Sequence, residues 1–95
     1  MVNARVRGFA VFGDILGAEE SRISSDAETV VHLIAHLSKS VDGRLENVLL
    51  NSATGEIQRG KKILVNGRDV ESSQGLATRL QNGDHVVFFP PVGEG

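Results

Sequence analysis

Ile63-Leu64-Val65-Asn66-Gly67-Arg68-Asp69-Val70 decides how this chain folds. A short apolar run meets Asn-Gly, the two-residue pair best able to hold the positive φ angles of a tight hairpin, and Asp69-Val70 supplies the return arm. Downstream, Asn82-Gly83-Asp84 makes a second turn and delivers His85-Val86-Val87-Phe88-Phe89. Four successive apolar residues without alternation predict an interior strand covered on both faces, hence a central one.

Upstream, Val30, Leu33, Ile34, Leu37 and Val41 recur at 3.6-residue spacing and predict a helix over Thr29–Val41 with one apolar face. Ser25, Asp26 and Thr29 compete as its N-cap, with Ser25 and Glu28 spaced as a capping box, and Asp42-Gly43 ends it. Near the start, Ala4, Val6 and Gly8 alternate with Arg5, Arg7 and Phe9, the period of a half-buried strand. Ala10–Leu16 then forms a short helical turn closing on Gly17, and Ser21–Ser25 returns as a second strand. Leu45–Gly60 shows no firm period, although Val48-Leu49-Leu50 must be buried and Asn51–Gly55 reads as a loop. The sum is an α+β domain, residues 1–89, with one main helix packed across a sheet, and a tail at 90–95.

The chain has 95 residues, 10 Lys and Arg against 12 Asp and Glu, and a formal charge of −2. That length supports one domain with a modest core and leaves little room for two lobes around a substrate cleft. The near-neutral balance offers no field for nucleic acid or an anionic membrane. Without cysteine there is no disulfide, thiolate metal site or thiol nucleophile. Arg5, Arg7 and Asp14 interrupt any signal-like apolar run, and no stretch is long enough to span a bilayer, so a cytosolic setting is the expectation.

Pro90-Pro91-Val92-Gly93-Glu94-Gly95 follows the last strand. Two prolines stiffen a stalk, and glycine at the tip has no side chain to obstruct a narrow cleft. The Gly95 carboxylate is therefore the candidate working group.

Ile63–Val70, with Gly75-Leu76-Ala77-Thr78, Leu80, Gly83-Asp84 and Phe89-Pro90-Pro91-Val92, resembles the ubiquitin-like sulfur carriers typified by the small subunit of molybdopterin synthase, a group that includes archaeal-type small modifiers. Phe9-Ala10, Ile15-Leu16-Gly17 and Thr29-Val30 occur in the order found in that family, so the likeness spans most of the chain. It implies a β-grasp fold with a mixed sheet. It also implies a carrier rather than an enzyme: a ubiquitin-activating-type partner spends ATP to adenylate Gly95, and sulfur replaces the adenylate to leave a thiocarboxylate. No cofactor is implied on this chain. The tail, Pro90, Pro91, Val92, Gly93 and Glu94, is expected to enter the large subunit of molybdopterin synthase, and conjugation to target-protein lysines is the alternative, with a non-conjugated interaction domain as a third reading. Phe9 and Phe89 match the family's partner-facing surface, whereas residue type alone favours the core. The family's pattern ends in two glycines, and Glu94 departs from it with a bulky anion beside the carboxylate to be activated.

Other signals are weaker. His32 and His36 stand four apart on the helix, opposite its apolar stripe, and lack a third ligand, so a solvated face and no metal are expected. Arg59, Lys61, Lys62 and Arg68 concentrate near the hairpin as ordinary surface charge, and His85 reads as a strand-entry residue. None of the 11 glycines forms a phosphate loop, and no nucleophile elbow is present.

Overall fold

A computed structural model describes residues 1–17 and 19–90. The elements run β1 (Val2–Gly8), α1 (Val11–Leu16), β2 (Ser21–Ser25), α2 (Val30–Lys39), α3 (Arg44–Leu49), β3 (Lys62–Val65), β4 (Arg68–Asp69) and β5 (Asp84–Phe89), with single 3-10 turns at Val70–Ser72 and Gly75–Ala77. The strands form one sheet in the order β2-β1-β5-β3-β4. β1 lies parallel to β5 and antiparallel to β2, while β3 is antiparallel to both β5 and β4. This mixed sheet with its helix-bearing face is a β-grasp fold.

The hairpin forms where Asn66-Gly67 places it, with φ of 53° and 83°, the left-handed values that such a turn demands. Its return arm starts and ends one residue earlier than the sequence predicts, at Arg68–Asp69 instead of Asp69-Val70, because Asp69 caps a 3-10 turn by accepting from the Glu71 N–H at 2.9 Å and Val70 drops into the core. Helix α2 buries Val30, Leu33, Ile34 and Leu37 as expected, and Thr29 is the N-cap, its hydroxyl accepting from the His32 N–H. The expected Ser25–Glu28 box does not form: Ser25 is buried at the end of β2, and its hydroxyl accepts from the Ala27 N–H instead.

The unassigned stretch contains α3, whose Leu45 and Leu49 are fully buried, followed by a bridge between Leu50 and Ile57. Core residues from β1, β5, α1, α2 and α3 meet on one side of the sheet, where Phe12 and Phe88 lie with ring centroids 6.1 Å apart. β5 is central as expected, but it is covered on one face only. Val86 and Phe88 point into the core, while Val87 and Phe89 remain half-buried on the face away from the helices. An apolar run can thus alternate in burial without alternating in polarity when its outer face has a use of its own.

Candidate functional site: the open face at the end of the last strand

The site is built where β1 and β5 end together. Their parallel register pairs Gly8 with Phe88, and the Phe9 N–H continues the ladder by donating to the Phe88 carbonyl at 2.9 Å. Gly8 is there for close approach: a Cβ would stand 2.6 Å from the Phe12 carbonyl carbon and oxygen. With β1 and α1 drawn this near, the chain turns sharply at Ala10, whose φ of 54° and ψ of −126° occupy a region that suits glycine. The turn projects Phe9 outward, 44% exposed.

Phe9, Ala10, Leu64, Val87, Phe89 and Pro90 then line a shallow apolar depression of about 400 Å3. The register explains the gathering, since Val87 pairs with Leu64 on β3 and with Arg7 on β1. The Arg7 guanidinium sits 4.8 Å from the Phe9 ring centroid in a cation–π contact. Of the residues expected to meet a partner, the structure brings Phe9, Phe89 and Pro90 to one face. Pro91, Val92, Gly93, Glu94 and Gly95 lie outside the described residues. Leu64, Val87 and Ala10 were missed by sequence reasoning. The signal for the first two was their period-two spacing from Asn66 and Phe89 on strands placed at the sheet's centre.

Charge borders this face. The Lys62 ammonium lies 3.2 Å from Asp69 and 3.3 Å from Glu71, so one of the four basic residues near the hairpin is paired with carboxylates. Hydrogen bonds to Asp69 and Glu71 raise the Lys62 pKa above 10.5. The Glu71 backbone N–H, with Lys62 adding to it, holds the Asp69 carboxyl below 3.8. At the opposite end of β5, Asn66 ties the hairpin down: its side-chain oxygen accepts from the His85 N–H at 2.9 Å and its amide donates to Asp84 at 2.9 Å. His85 stands at the strand's entry as expected. Its Nε2 is 3.1 Å from Glu20 but makes no hydrogen bond to it. His32 and His36 are exposed on α2, and no group of three metal-ligating side chains occurs among the described residues. No helix is long and apolar enough to cross a membrane, again among the described residues.

A mixed β-grasp sheet with helices on one face and an apolar open face on the other has the fold of ubiquitin-like proteins. The ThiS family model matches residues 6–95, so the chain belongs to the ThiS family of ubiquitin-like sulfur carriers. It is similar to small archaeal modifier protein 3 of Haloferax volcanii, 35% identical over 92 residues covering 95% of this chain and 96% of the relative. It is also similar to the sulfur carrier protein CysO of Mycobacterium tuberculosis, 34% identical over 79 residues covering 83% and 84% of the two chains. The solution structure of the Haloferax volcanii HVO 2177 protein superposes with a TM-score of 0.80 at 34% identity, covering 99% of this chain and 87% of that one.

Proposed function

We propose that this chain carries sulfur on Gly95 as a thiocarboxylate for molybdenum cofactor assembly, in the manner of the small subunit of molybdopterin synthase. The observation that carries the reading is the placement of Phe9, Phe89 and Pro90 on an open apolar face at the root of the tail, in a chain whose family match runs through Gly95. A body that offers an apolar docking face beside the start of its tail suits a cosubstrate whose chemistry is performed by partners.

The chemistry follows from the carboxylate. A Gly95 oxygen attacks the α-phosphorus of ATP held by an adenylating enzyme, and pyrophosphate leaves. A sulfide equivalent then displaces AMP, and the negative charge of the resulting thiocarboxylate rests on a soft, nucleophilic sulfur. The nucleotide is consumed by the partner, and this chain holds no cofactor. Docked on the large subunit of molybdopterin synthase, the thiocarboxylate sulfur bonds to the cofactor precursor, and water then attacks the Gly95 acyl carbon and breaks its bond to sulfur, so that the sulfur stays on the precursor and the tail returns as a carboxylate. Glu94, next to the reacting group, requires a partner cleft with a donor or an opening at that position. The reading is tested by reconstitution with the large subunit and precursor: dithiolene forms with the thiocarboxylated chain, and its absence with a proven large subunit contradicts the reading.

A second reading is favoured by the 35% identity to a small archaeal modifier protein. In it the same activated Gly95 is attacked by a target-protein lysine, and an isopeptide bond forms. Covalent species of higher mass that vanish when Gly95 is deleted are its signature.

A further inference from the structure

Two Asn-Gly pairs turn this chain, at 66–67 and 82–83, and their side chains are held in chemically different ways. Asn82 lends its oxygen, which accepts from the Asn3 N–H at 2.8 Å. Asn66 uses both ends of its amide: the oxygen accepts from the His85 N–H at 2.9 Å, and the nitrogen donates to Asp84 Oδ1 at 2.9 Å. The partners dictate this orientation, because a backbone N–H only donates and an ionised carboxylate only accepts. Asp84 is itself fixed, its Oδ2 accepting from the Gln81 N–H at 2.8 Å. The Asn66 N–H also donates to the His85 carbonyl at 2.8 Å, so three hydrogen bonds clasp the hairpin tip to the first residues of β5.

Asp-Gly suits a two-residue hairpin as Asn-Gly does, so the turn alone does not require an amide at position 66. The clasp does, since a carboxylate there would set two like charges within hydrogen-bond distance of each other. Arg68 and Arg79 line the same recess as Asn66 and Asp84. Among the described residues no ion pair joins either arginine to Asp84, and Arg79 lies 3.6 Å from Glu28. Asparagine is chemically labile, Gly67 has no side chain to hinder its backbone nitrogen, and both residues are exposed to water.

We propose that Asn66 is a site of spontaneous deamidation whose product unlatches the hairpin from β5. The Gly67 nitrogen loses its proton and attacks the Asn66 side-chain carbon. The bond from that carbon to the amide nitrogen breaks, ammonia leaves carrying the proton, and a succinimide ring remains. Water then adds to one of the two ring carbonyls and opens it, leaving an aspartate or isoaspartate carboxylate. Water is the one co-reactant. Expelling the amide nitrogen breaks its bond to Asp84, so the reaction proceeds from the opened clasp. Opening is local, because β4 contributes only two residues at the edge of the sheet. The product carboxylate has no donor for Asp84, and the hairpin does not relatch. Asn82 differs, because the contact it makes through oxygen is one that a carboxylate also makes. This chemistry is independent of whether Gly95 is activated.

The test incubates the full chain at mildly alkaline pH, in buffer and in unfolding urea, and follows by peptide mapping the mass gained when an amino group is replaced by a hydroxyl. The gain is expected at Asn66 in both, about tenfold or more slowly in buffer, where a hydrogen bond to a charged group must first open. The Asn66→Asp variant reproduces one product. With its spectrum elsewhere unchanged, amide hydrogen exchange at position 66 and at His85 should quicken by about tenfold or more, whereas Asn82→Asp leaves both slow. The Asn66→Asp/Asp84→Asn variant exchanges amide and carboxylate across the same contact and should restore slow exchange. No gain at Asn66 in either condition, equal rates in the two, unchanged exchange in Asn66→Asp, or no rescue in the double variant overturns the proposal.

Discussion

Phe88 and Phe89 are neighbours in sequence and opposites in environment: the Phe88 ring is fully buried and packs 6.1 Å from Phe12, while Phe89 half-emerges on the far side of the sheet beside Phe9 and Pro90. One strand thereby anchors the core with one residue and presents the docking face with the next. The separation makes stability and partner binding independently removable. Phe88→Ala is expected to cost about 3–5 kcal/mol of folding stability, the loss typical of emptying a packed phenylalanine site. Phe89→Ala should cost clearly less while weakening capture by the partner. Urea unfolding of both variants checks the first part, and equal losses would contradict the assignment of the two faces.

Gly8 and Ala10 predict changes of opposite sign. In Gly8→Ala a methyl would meet the Phe12 carbonyl at 2.6 Å, so β1 and α1 must separate, at an expected cost of about 1–3 kcal/mol. Ala10→Gly relieves a backbone at φ 54°, ψ −126° and is expected to raise stability by about 1 kcal/mol or slightly less. Thermal unfolding of the pair reads both signs. A stabilised Gly8→Ala variant would show that the close approach of β1 to α1 is wrong.

The Lys62–Asp69 pair predicts pH dependence at both ends of the scale. The Asp69 pKa is lowered below 3.8 by the fold, so its contribution is present above that value and fades as pH falls through the lower, folded one. The Lys62 pKa is raised above 10.5, so its contribution is full below 10.5 and is lost as pH rises through the higher, folded one. Both side chains are about a third exposed, at 32% and 35%, and the effects are correspondingly small and sensitive to salt. Asp69→Asn should flatten the acid limb of stability against pH, and Lys62→Met the alkaline limb. Limbs unchanged in both variants would remove the pair from the account.

Much of the fold was legible because its punctuation is local. Asn66-Gly67 admits few alternatives to a hairpin, β2 begins and ends at Ser21 and Ser25 as read, and four of the five periodic apolar positions fall within α2, which ends at Lys39, before Val41. Helix α3 escaped because six residues are under two turns. Leu45, Val48 and Leu49 do carry helical spacing, but the following Leu50 blurs it, and that residue belongs to a bridge with Ile57. The candidate site was half legible. Phe9 and Phe89 are residues that usually bury themselves. Their exposure depends on which sheet face the helices cover, a long-range outcome that composition does not encode.

The account's central claim concerns Gly95, and intact mass spectrometry tests it most directly. The full chain is incubated with a demonstrably active cognate adenylating enzyme, ATP and a sulfur source. Its mass is predicted to rise by the difference between sulfur and oxygen, with fragmentation placing the change on Gly95 and a chain lacking Gly95 remaining unmodified. An unchanged mass, or a change located on any other residue, would contradict the carrier function.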